Sequence, residues 1–531
     1  MTAKEFTSHN MIGSWPLYKK VGFRIAFLFF LLLCIPLQLS WYKELIKIDW
    51  LHPDYRDIYD IARFETAVPN IMFQSMSTTE ENDKIAAEIS SNWITDYSPW
   101  GNALVIAVVA GLLWTVLDRR RSSYKALYYG LSVVVRFRAA LGIICFGFTK
   151  VFPTQMPYPS YAMLNTDFGD FTLQKLYWLS IGIVPWYQVF GGLVEITAGL
   201  LLCFKKTATF GAILLIAALG DITFVNFAYN GSVHVYASYF VLLGLFVLMP
   251  DLLRLYKLLI LEQHTIPQSF YPNYAEPLYK YGRLGLKSLS FLIFIVLLGY
   301  TQYLNFRYDP YKLPATAGVK GLRGTYTVKE FRINNQLIPY HPLDSLRWNQ
   351  ATFEQWNTLT FRVHKPVLID PTNGGGAPIR DIQRRFEITG IAGGQHAFHY
   401  YADTIDHVLY LEDKNIFAGR MKADAKAEEQ ASQQHNSTTA KSWISDAAWK
   451  HIGDENKMVD GHVWSTRRDR VFSHPKGSTN VSKMILNYHT KDGSEIILNG
   501  INETNDSIYV VLERVNKKYV LEESSLKAGK Y

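Results

Sequence analysis

The chain has 531 residues, of which 49% are hydrophobic, 19% charged and 15% aromatic, and its formal net charge is +8. The aromatic content excludes an intrinsically disordered or collagen-like chain. The averages hide two regions, because residues 1–306 hold almost every long apolar run, whereas residues 307–531 are polar and alternate like strands. Several windows of about 18–20 residues carry few or no charges, so a wholly water-soluble protein is excluded as well.

Seven apolar segments are predicted to cross a membrane as helices. They cover residues 21–41, 101–117, 127–150, 181–203, 208–227, 234–256 and 287–305. Basic residues precede the first segment, so a cleavable signal peptide is the alternative there. Because that segment ends without a small-residue cleavage site, we expect an uncleaved anchor.

The charged residues are distributed unevenly among the loops. Lysines and arginines lie before the first segment, after the second and the fourth, and between the sixth and the seventh, whereas the loop at 43–99 is acidic. By the positive-inside rule, the N-terminus is cytoplasmic and the C-terminal region is extracytoplasmic. A net positive charge can also indicate binding to nucleic acid, but this distribution favours the lipid bilayer. We therefore expect no nucleic-acid partner.

Five ionisable residues lie within the central predicted spans: Arg136, Arg138, Lys150, Glu195 and Asp221. A charge at mid-bilayer costs about 2.5–3.5 kcal/mol on insertion scales, so each is expected to face the interior and to find a partner. At about 1.5 Å rise per residue, Arg138 and Glu195 lie ~18 and ~21 Å from the outer ends of their spans and are predicted to pair. Depth also predicts that Asp221 pairs with Lys150.

These residues and two polar neighbours define a predicted buried polar site, which consists of Arg138, Lys150, Glu195, Asp221, Asn226 and His234. Gly191, Glu195 and Gly199 form an i, i+4, i+8 stripe, whose small residues allow another helix to approach the carboxylate. Three interpretations of the site stay open: structural ion pairs that fix helix register, a ligand or quinone site, and a proton relay.

Other chemistry lacks its residues. The three cysteines, Cys34, Cys145 and Cys203, are far apart and all lie in apolar runs, so no disulfide framework, zinc spacing or thiol pair is predicted. His234 is the only candidate haem ligand in the central spans, where a haem bundle needs a pair. His396 and His399 fall on opposite faces of a strand, which argues against a shared metal ion. We expect no bound metal.

The central region carries a series of short motifs in a fixed order. They are Arg138–Gly142, Gly147–Lys150, Thr154–Pro157, Gly191–Leu202, Lys206–Gly211, Asn226–Asn230 and Pro250–Arg254. Over residues 131–257, about a quarter of the chain, this order and spacing resemble the DoxX family, in the larger form found in Bacteroidetes-type bacteria. The resemblance implies a four-helix membrane bundle. It also implies an accessory role in quinone-linked redox chemistry, since the related DoxD is a subunit of a thiosulfate:quinone oxidoreductase.

Residues 307–531 are predicted to form a mainly β, barrel-like domain outside the membrane. The alternating segments are Gly324–Ile333, Thr358–Val363, Arg385–Thr389, His396–Tyr401, His407–Glu412, Met484–Tyr488, Glu495–Asn499, Ser507–Arg514 and Tyr519–Leu521. Short turns join several of them, which is typical of an antiparallel meander that closes into a barrel. The first strand and the last long strand resemble those of lipocalin-like barrels.

Two further segments are predicted to carry helices. The insertion at 414–482 contains a helix at Met421–Gln434, a second at Ser442–Ile452 and a basic patch at 467–470. It is either a solvated excursion or a surface that docks a partner or lipid headgroups. In the outer loop, residues 58–65 and Asp83–Ser91 trace short amphipathic helices, which we expect to pack over the bundle mouth or against the β-domain.

The predicted organisation is an α-helical membrane protein of about seven spans with an extracytoplasmic domain. A cytoplasmic N-terminus and the first helix occupy 1–42, an extracytoplasmic loop 43–100, the second helix 101–125, the four-helix bundle 126–260, a cytoplasmic loop and the seventh helix 261–306, and the β-domain 307–531. In a bacterium this topology places the chain in the inner membrane with a periplasmic domain.

Three functions are compatible with these features. The first is an accessory subunit of an envelope complex, with a quinone-linked redox role that the family resemblance alone implies. The second is a non-catalytic protein that binds a lipid or another apolar ligand, and the third is a purely structural subunit of a larger membrane assembly. The sequence carries no cofactor motif of its own, so an accessory subunit is favoured over an independent enzyme. Its expected partners are other membrane or periplasmic proteins, and a quinone is the one cofactor implied.

The topology predicts which positions an impermeant thiol reagent reaches in intact cells. Single cysteines at Ser122 or Gln263 should stay unlabelled because they are cytoplasmic, and cysteines at Asn82 or Ser478 should be labelled because they are outside. A chain that lacks the native cysteines is the background for each variant. Labelling of the Ser122→Cys variant in intact cells would contradict the predicted topology.

Overall fold

The computed structural model of the chain describes residues 14–64, 68, 95–266, 276–367, 369–374, 380–415, 443–473, 481–521 and 524–531. The helices are α1 Leu17–Cys34, α2 Leu39–Ile46, α3 Tyr55–Ala62, α4 Ser98–Leu117, α5 Lys125–Val151, α6 Tyr161–Leu164, α7 Leu173–Gly182, α8 Pro185–Cys203, α9 Ala208–Ala228, α10 His234–Leu259, α11 Pro277–Tyr308, α12 Asp446–Ile452, α13 Glu455–Met458 and α14 Thr466–Ser473.

Six of these helices are long and apolar enough to cross a membrane, namely α4, α5, α8, α9, α10 and α11. A seventh span results if α1 and α2, which are bent by 46° relative to each other, count as one. The bend lies at Pro36, which cannot donate the hydrogen bond that a continuous helix needs. The structure thus has six or seven long apolar helices where seven spans were predicted, and the first of the seven is a broken helix. The fourth begins at Pro185 rather than 181, since proline favours the first turn of a helix.

Helices α5, α8, α9 and α10 pack around one core as a four-helix bundle, with α1, α4 and α11 beside it. Glycines bring α5 and α8 into close contact. A Cβ atom on Gly192 would lie 2.6 Å from the carbonyl oxygen of Gly147, and one on Gly199 would lie 2.9 Å from that of Ala140. Gly191 has open space beside it, so the predicted stripe is wrong at that position. The small residues at the contact are Gly192 and Gly199.

The strands are β1 Gly324–Ile333, β2 Gln336–Leu337, β3 Gln350–Phe353, β4 Thr358–Arg362, β5 Gln395–Asp403, β6 Val408–Asp413, β7 Lys483–His489, β8 Glu495–Ile501 and β9 Ser507–Arg514. Each of β3 to β9 pairs with its neighbours in an antiparallel ladder, and β1 pairs with both β3 and β9. These eight strands close a barrel, while β2 only extends the far end of β1. The predicted barrel is confirmed.

Side chains from all eight barrel strands fill its interior. Tyr326, Phe353, Leu486, Leu498 and Leu512 belong to one apolar cluster and are fully buried. The alternation of apolar and polar residues that predicted the strands therefore has a structural cause: successive side chains point in turn into this packed interior and out from the barrel wall. A ligand inside the barrel would have to displace these side chains.

Two predicted strands are wrong, and two short ones were not predicted. Residues 385–389 form turns with a single bridge between Asp370 and Thr389, and residues 519–521 form no strand. The first segment is held by side chains instead of a ladder, because Glu387 makes a buried ion pair of 2.5 Å with Lys414. Trp356 and Thr358 donate hydrogen bonds to the same carboxylate over 3.1 and 3.0 Å. Strands β2 and β3 are short and begin with a polar residue, so they do not show the alternation that predicted the other strands.

The described part of the insertion, residues 443–473, packs against the rest of the chain. Arg467 in the basic patch forms ion pairs of 3.1 Å with Asp57 and 2.9 Å with Asp60, both on α3. Arg468 forms a buried ion pair with Asp309, which also contacts Arg384 at 2.6 Å. The prediction of a solvated excursion is wrong for residues 443–473, because this part of the insertion docks on its own chain. The predicted helix at 442–452 begins at 446, and the helices at 421–434 and 83–91 lie outside the described residues.

Candidate functional site in the helical bundle

Lys150 and Glu195 form a buried ion pair between α5 and α8. The Lys150 Nζ contacts Glu195 Oε1, and the two side chains are 12% and 2% exposed. Lys150 lies one residue before the end of α5, and its side chain points back along the helix, as helical side chains do. It therefore reaches Glu195, one turn deeper in α8. The predicted pair of Lys150 with Asp221 is wrong.

The charge of Arg138 is stabilised by backbone carbonyl groups and aromatic rings rather than by a carboxylate. Its guanidinium donates to the carbonyl oxygen of Ala62, the last residue of α3, and to that of Phe64 over 3.1 Å. It lies 3.9 Å from the ring centre of Phe64 and 5.2 Å from that of Tyr239. The C-terminal end of a helix carries partial negative charge, which favours a cation there. The predicted Arg138–Glu195 pair is wrong.

The error has a geometric cause. Arg138 and Lys150 are twelve residues apart on α5, so their side chains leave the helix about 120° apart. Equal depth on neighbouring helices does not place two side chains on facing sides. Lys150 faces α8, whereas Arg138 faces the place where α3 enters the bundle.

The segment that meets Arg138 comes from the outer loop. Asp54 caps the start of α3 by accepting the backbone N–H of Arg56, and Ile58 and Tyr59 pack against Ile144 of α5. The predicted amphipathic helix in this loop is confirmed, and it descends along the bundle with its C-terminal end at Arg138. Non-helical backbone at membrane depth is tolerated where protein surrounds it, as it does at Phe64.

The remaining candidates lie elsewhere. Asn226 donates to the carbonyl oxygen of Ile222 in its own helix over 2.7 Å. His234 begins α10 and lies 2.9 Å from Asp96. Asp221 lies on the exposed side of α9. The structure thus brings only Lys150 and Glu195 together, and the six predicted residues do not form a single site.

Sequence reasoning missed a group of buried charges between the bundle and the β-domain. Glu354 accepts hydrogen bonds of 2.9 Å from the backbone N–H groups of Tyr161 and Ala162, and burial raises the pKa of its carboxyl to about 7. Burial lowers the pKa of Lys175 to about 7, and its Nζ donates to the carbonyl oxygen of Phe386 over 2.5 Å. No periodic pattern marks these residues, because Glu354 directly follows the short strand β3 and Lys175 lies in the first turn of the short helix α7.

A cavity of about 140 Å³ lies beside Glu354, where the β-domain meets the outer end of the bundle. Pro153, Met156 and Pro185 line it from the membrane side, and Trp356 and Tyr531 line it from the β-domain. The lining is mainly apolar with one buried carboxyl group, which is the character of a small-molecule pocket.

Within the described residues, one group of three side chains has the spacing of metal ligands. Candidate ligand atoms of Asp403, Asp406 and His451 lie within 4.8 Å of one another. The His451 Nδ1 is already 2.8 Å from Asp403, and the other Asp403 oxygen accepts two backbone N–H groups of the β5–β6 turn. These contacts explain why the three side chains lie close together: they fix the β5–β6 turn to α12.

Comparison with known proteins gives no relative: no family model, no curated protein and no solved structure matches the chain.

Double-mutant cycles distinguish the two pairings of Glu195. Lys150→Met and Glu195→Leu should each lower the free energy of unfolding by about 3–5 kcal/mol, because each leaves a buried charge unpaired. The combination of Lys150→Met with Glu195→Leu should recover most of that loss. The measurement is denaturant unfolding in detergent micelles.

The matched control is the cycle between Arg138→Met and Glu195→Gln. Its two effects should add within about 0.5 kcal/mol, as expected for residues that share no contact. Strong coupling in this control together with additivity in the Lys150 cycle would contradict the described pairing.

Proposed function

We propose that the chain is a DoxX-like accessory subunit of an envelope complex in a bacterial inner membrane, with its β-domain in the periplasm. This proposal is based on the contacts of the buried charged groups, which find their partners within the chain itself. Within the chain, Lys150 pairs with Glu195, and Arg138 donates to backbone carbonyl groups. The barrel interior is filled by side chains. This pattern favours a structural role for the charges over a proton relay.

The contacts between loops support the proposed orientation. The outer loop at 43–64 and the loop at 152–184 both contact the β-domain. Trp15 donates a backbone hydrogen bond of 2.9 Å to Ser122 in the basic loop after α4. Loops rich in lysine and arginine face the cytoplasm in membrane proteins, so the β-domain is assigned to the periplasm.

The four-helix bundle of α5, α8, α9 and α10 supports the resemblance to the DoxX family at the level of architecture. A quinone-linked redox role rests on that resemblance alone. In this proposal, any redox cofactor belongs to a partner subunit, and this chain supplies a membrane anchor and a rigid periplasmic platform.

A second candidate function follows from the cavity beside Glu354. The apolar part of a lipid or quinone can meet Met156 and Trp356 there, while a polar group meets the buried carboxyl of Glu354. The chain would then be a binding protein for an amphipathic ligand.

Purification in mild detergent, followed by native gel electrophoresis and mass spectrometry of proteins and lipids, separates the two functions. We expect a stoichiometric complex with at least one further membrane or periplasmic protein. Recovery of the chain alone, with one lipid or quinone per chain, would contradict the accessory role and favour the second function.

A matched pair of variants tests whether any co-purifying ligand occupies the cavity. Ala528 lines the cavity, so Ala528→Trp should fill it and abolish stoichiometric ligand. Ser525 is exposed and does not line the cavity, so Ser525→Trp should leave the ligand content unchanged. Equal ligand in both variants would place the ligand elsewhere.

A further inference from the structure

Helix α9 has one face toward the bundle and an opposite face with no cover in the described parts of the chain. Gly211, Leu215 and Leu219 are buried against the neighbouring helices. Asp221 lies two residues after Leu219, which turns its side chain about 200° away from that contact. It is exposed, together with Ile213, Ala217 and Phe224, which extend along the same side. We call these four residues the Asp221 face.

In the proposed membrane topology, Asp221 lies within the hydrocarbon region. It is seven residues before the outer end of α9, so its Cα lies ~10 Å inside that end. An aspartate side chain is short, whereas residues that escape to the interface from such depths are the long lysine and arginine. An ionisable residue within a membrane helix is expensive and normally pairs with another group.

The described residues do not supply that partner. Lys150, the nearest candidate in sequence reasoning, is bound to Glu195 on the other side of α8. No hydrogen bond or ion pair from the described ranges reaches the Asp221 carboxylate. The nearest titratable group that senses its charge is the hydroxyl of Tyr177, which is not a cation.

We propose that the Asp221 face is the docking surface for a transmembrane helix of another protein, and that this helix carries a lysine or arginine at the depth of Asp221. The inference rests on the proposed accessory role and names the chemistry of the partner. Charge complementarity carries it, because a basic side chain both neutralises the carboxylate and removes it from lipid.

The geometry of the face suits a helix. Ala217 is small, and Gly220 beside it has open space, so the backbone of a second helix can come close. A second copy of this chain is a poor occupant, since a two-fold contact through this face would bring two Asp221 carboxylates together. A lipid ammonium group lies at the headgroup level, above the carboxylate.

Site-specific photo-cross-linking in native membranes tests the proposal. A photoreactive amino acid at Ala217 should form an adduct with another protein, and the attached peptide should come from an apolar segment that contains Lys or Arg. The matched control is Leu112, which is exposed on α4 and carries no nearby charge on its face. It should not give that adduct.

Charge variants then test the role of the carboxylate. Asp221→Lys should reduce the adduct from Ala217 by about tenfold or more, because like charges would face each other. Replacement of the partner's basic residue by Asp should restore the adduct in the Asp221→Lys background. Asp221→Lys should leave the melting temperature of the isolated chain in detergent unchanged, so loss of the adduct is not loss of folding.

Three results would overturn the inference: adducts with lipid only, adducts with peptides of the same chain, or a partner adduct that Asp221→Lys leaves unchanged. If a complex is recovered but its subunits do not contact the Asp221 face, the inference fails and the accessory role stands. If the chain is recovered without any partner, both fail.

Discussion

A charge buried among apolar helices must be stabilised by polar groups that the fold brings to it, and Arg138 is the position where this constraint shapes most of the structure. Its guanidinium is held by the carbonyl groups that end α3. To supply them, the outer loop must descend into the bundle instead of passing over its mouth. The cost of an unpaired arginine in the membrane therefore explains the path of a segment far away in sequence.

The same segment connects the bundle to the β-domain. The outward side of α3 carries Asp57 and Asp60, which bind Arg467 on α14. The next residue, Arg468, binds Asp309 just after the last membrane helix. Ion pairs thus join α3 to α14, and they join α14 through Asp309 to Arg384 in the β-domain. Contacts of this kind are strong when they are buried and fully hydrogen-bonded, and they fix the orientation of the groups they join.

The sequence was sufficient where a pattern is local. Strands β1 and β9 were predicted at their observed bounds, because alternation over eight to ten residues reports a buried and an exposed face. The long apolar helices were predicted because an uninterrupted apolar segment of about 20 residues is also a local signal. The pairing of charged side chains could not be predicted in this way. Arg138 binds backbone carbonyl groups, and every residue type has such a group. The turn at 385–389 depends on Lys414, which lies far along the chain. No periodic pattern marked Glu354, which directly follows the short strand β3.

The hydrogen bonds from Arg138 to the end of α3 are the contacts on which the other features depend most. Hydrogen–deuterium exchange measures their effect directly. In Arg138→Met, backbone exchange in 55–64 should rise by about tenfold or more, because local opening no longer breaks charge-assisted hydrogen bonds. Exchange in 466–473 should rise with it, while α8 stays protected. Arg254→Met, which removes only a surface pair with Asp251, is the control and should change neither segment. Unchanged exchange at 55–64 in Arg138→Met would contradict the account.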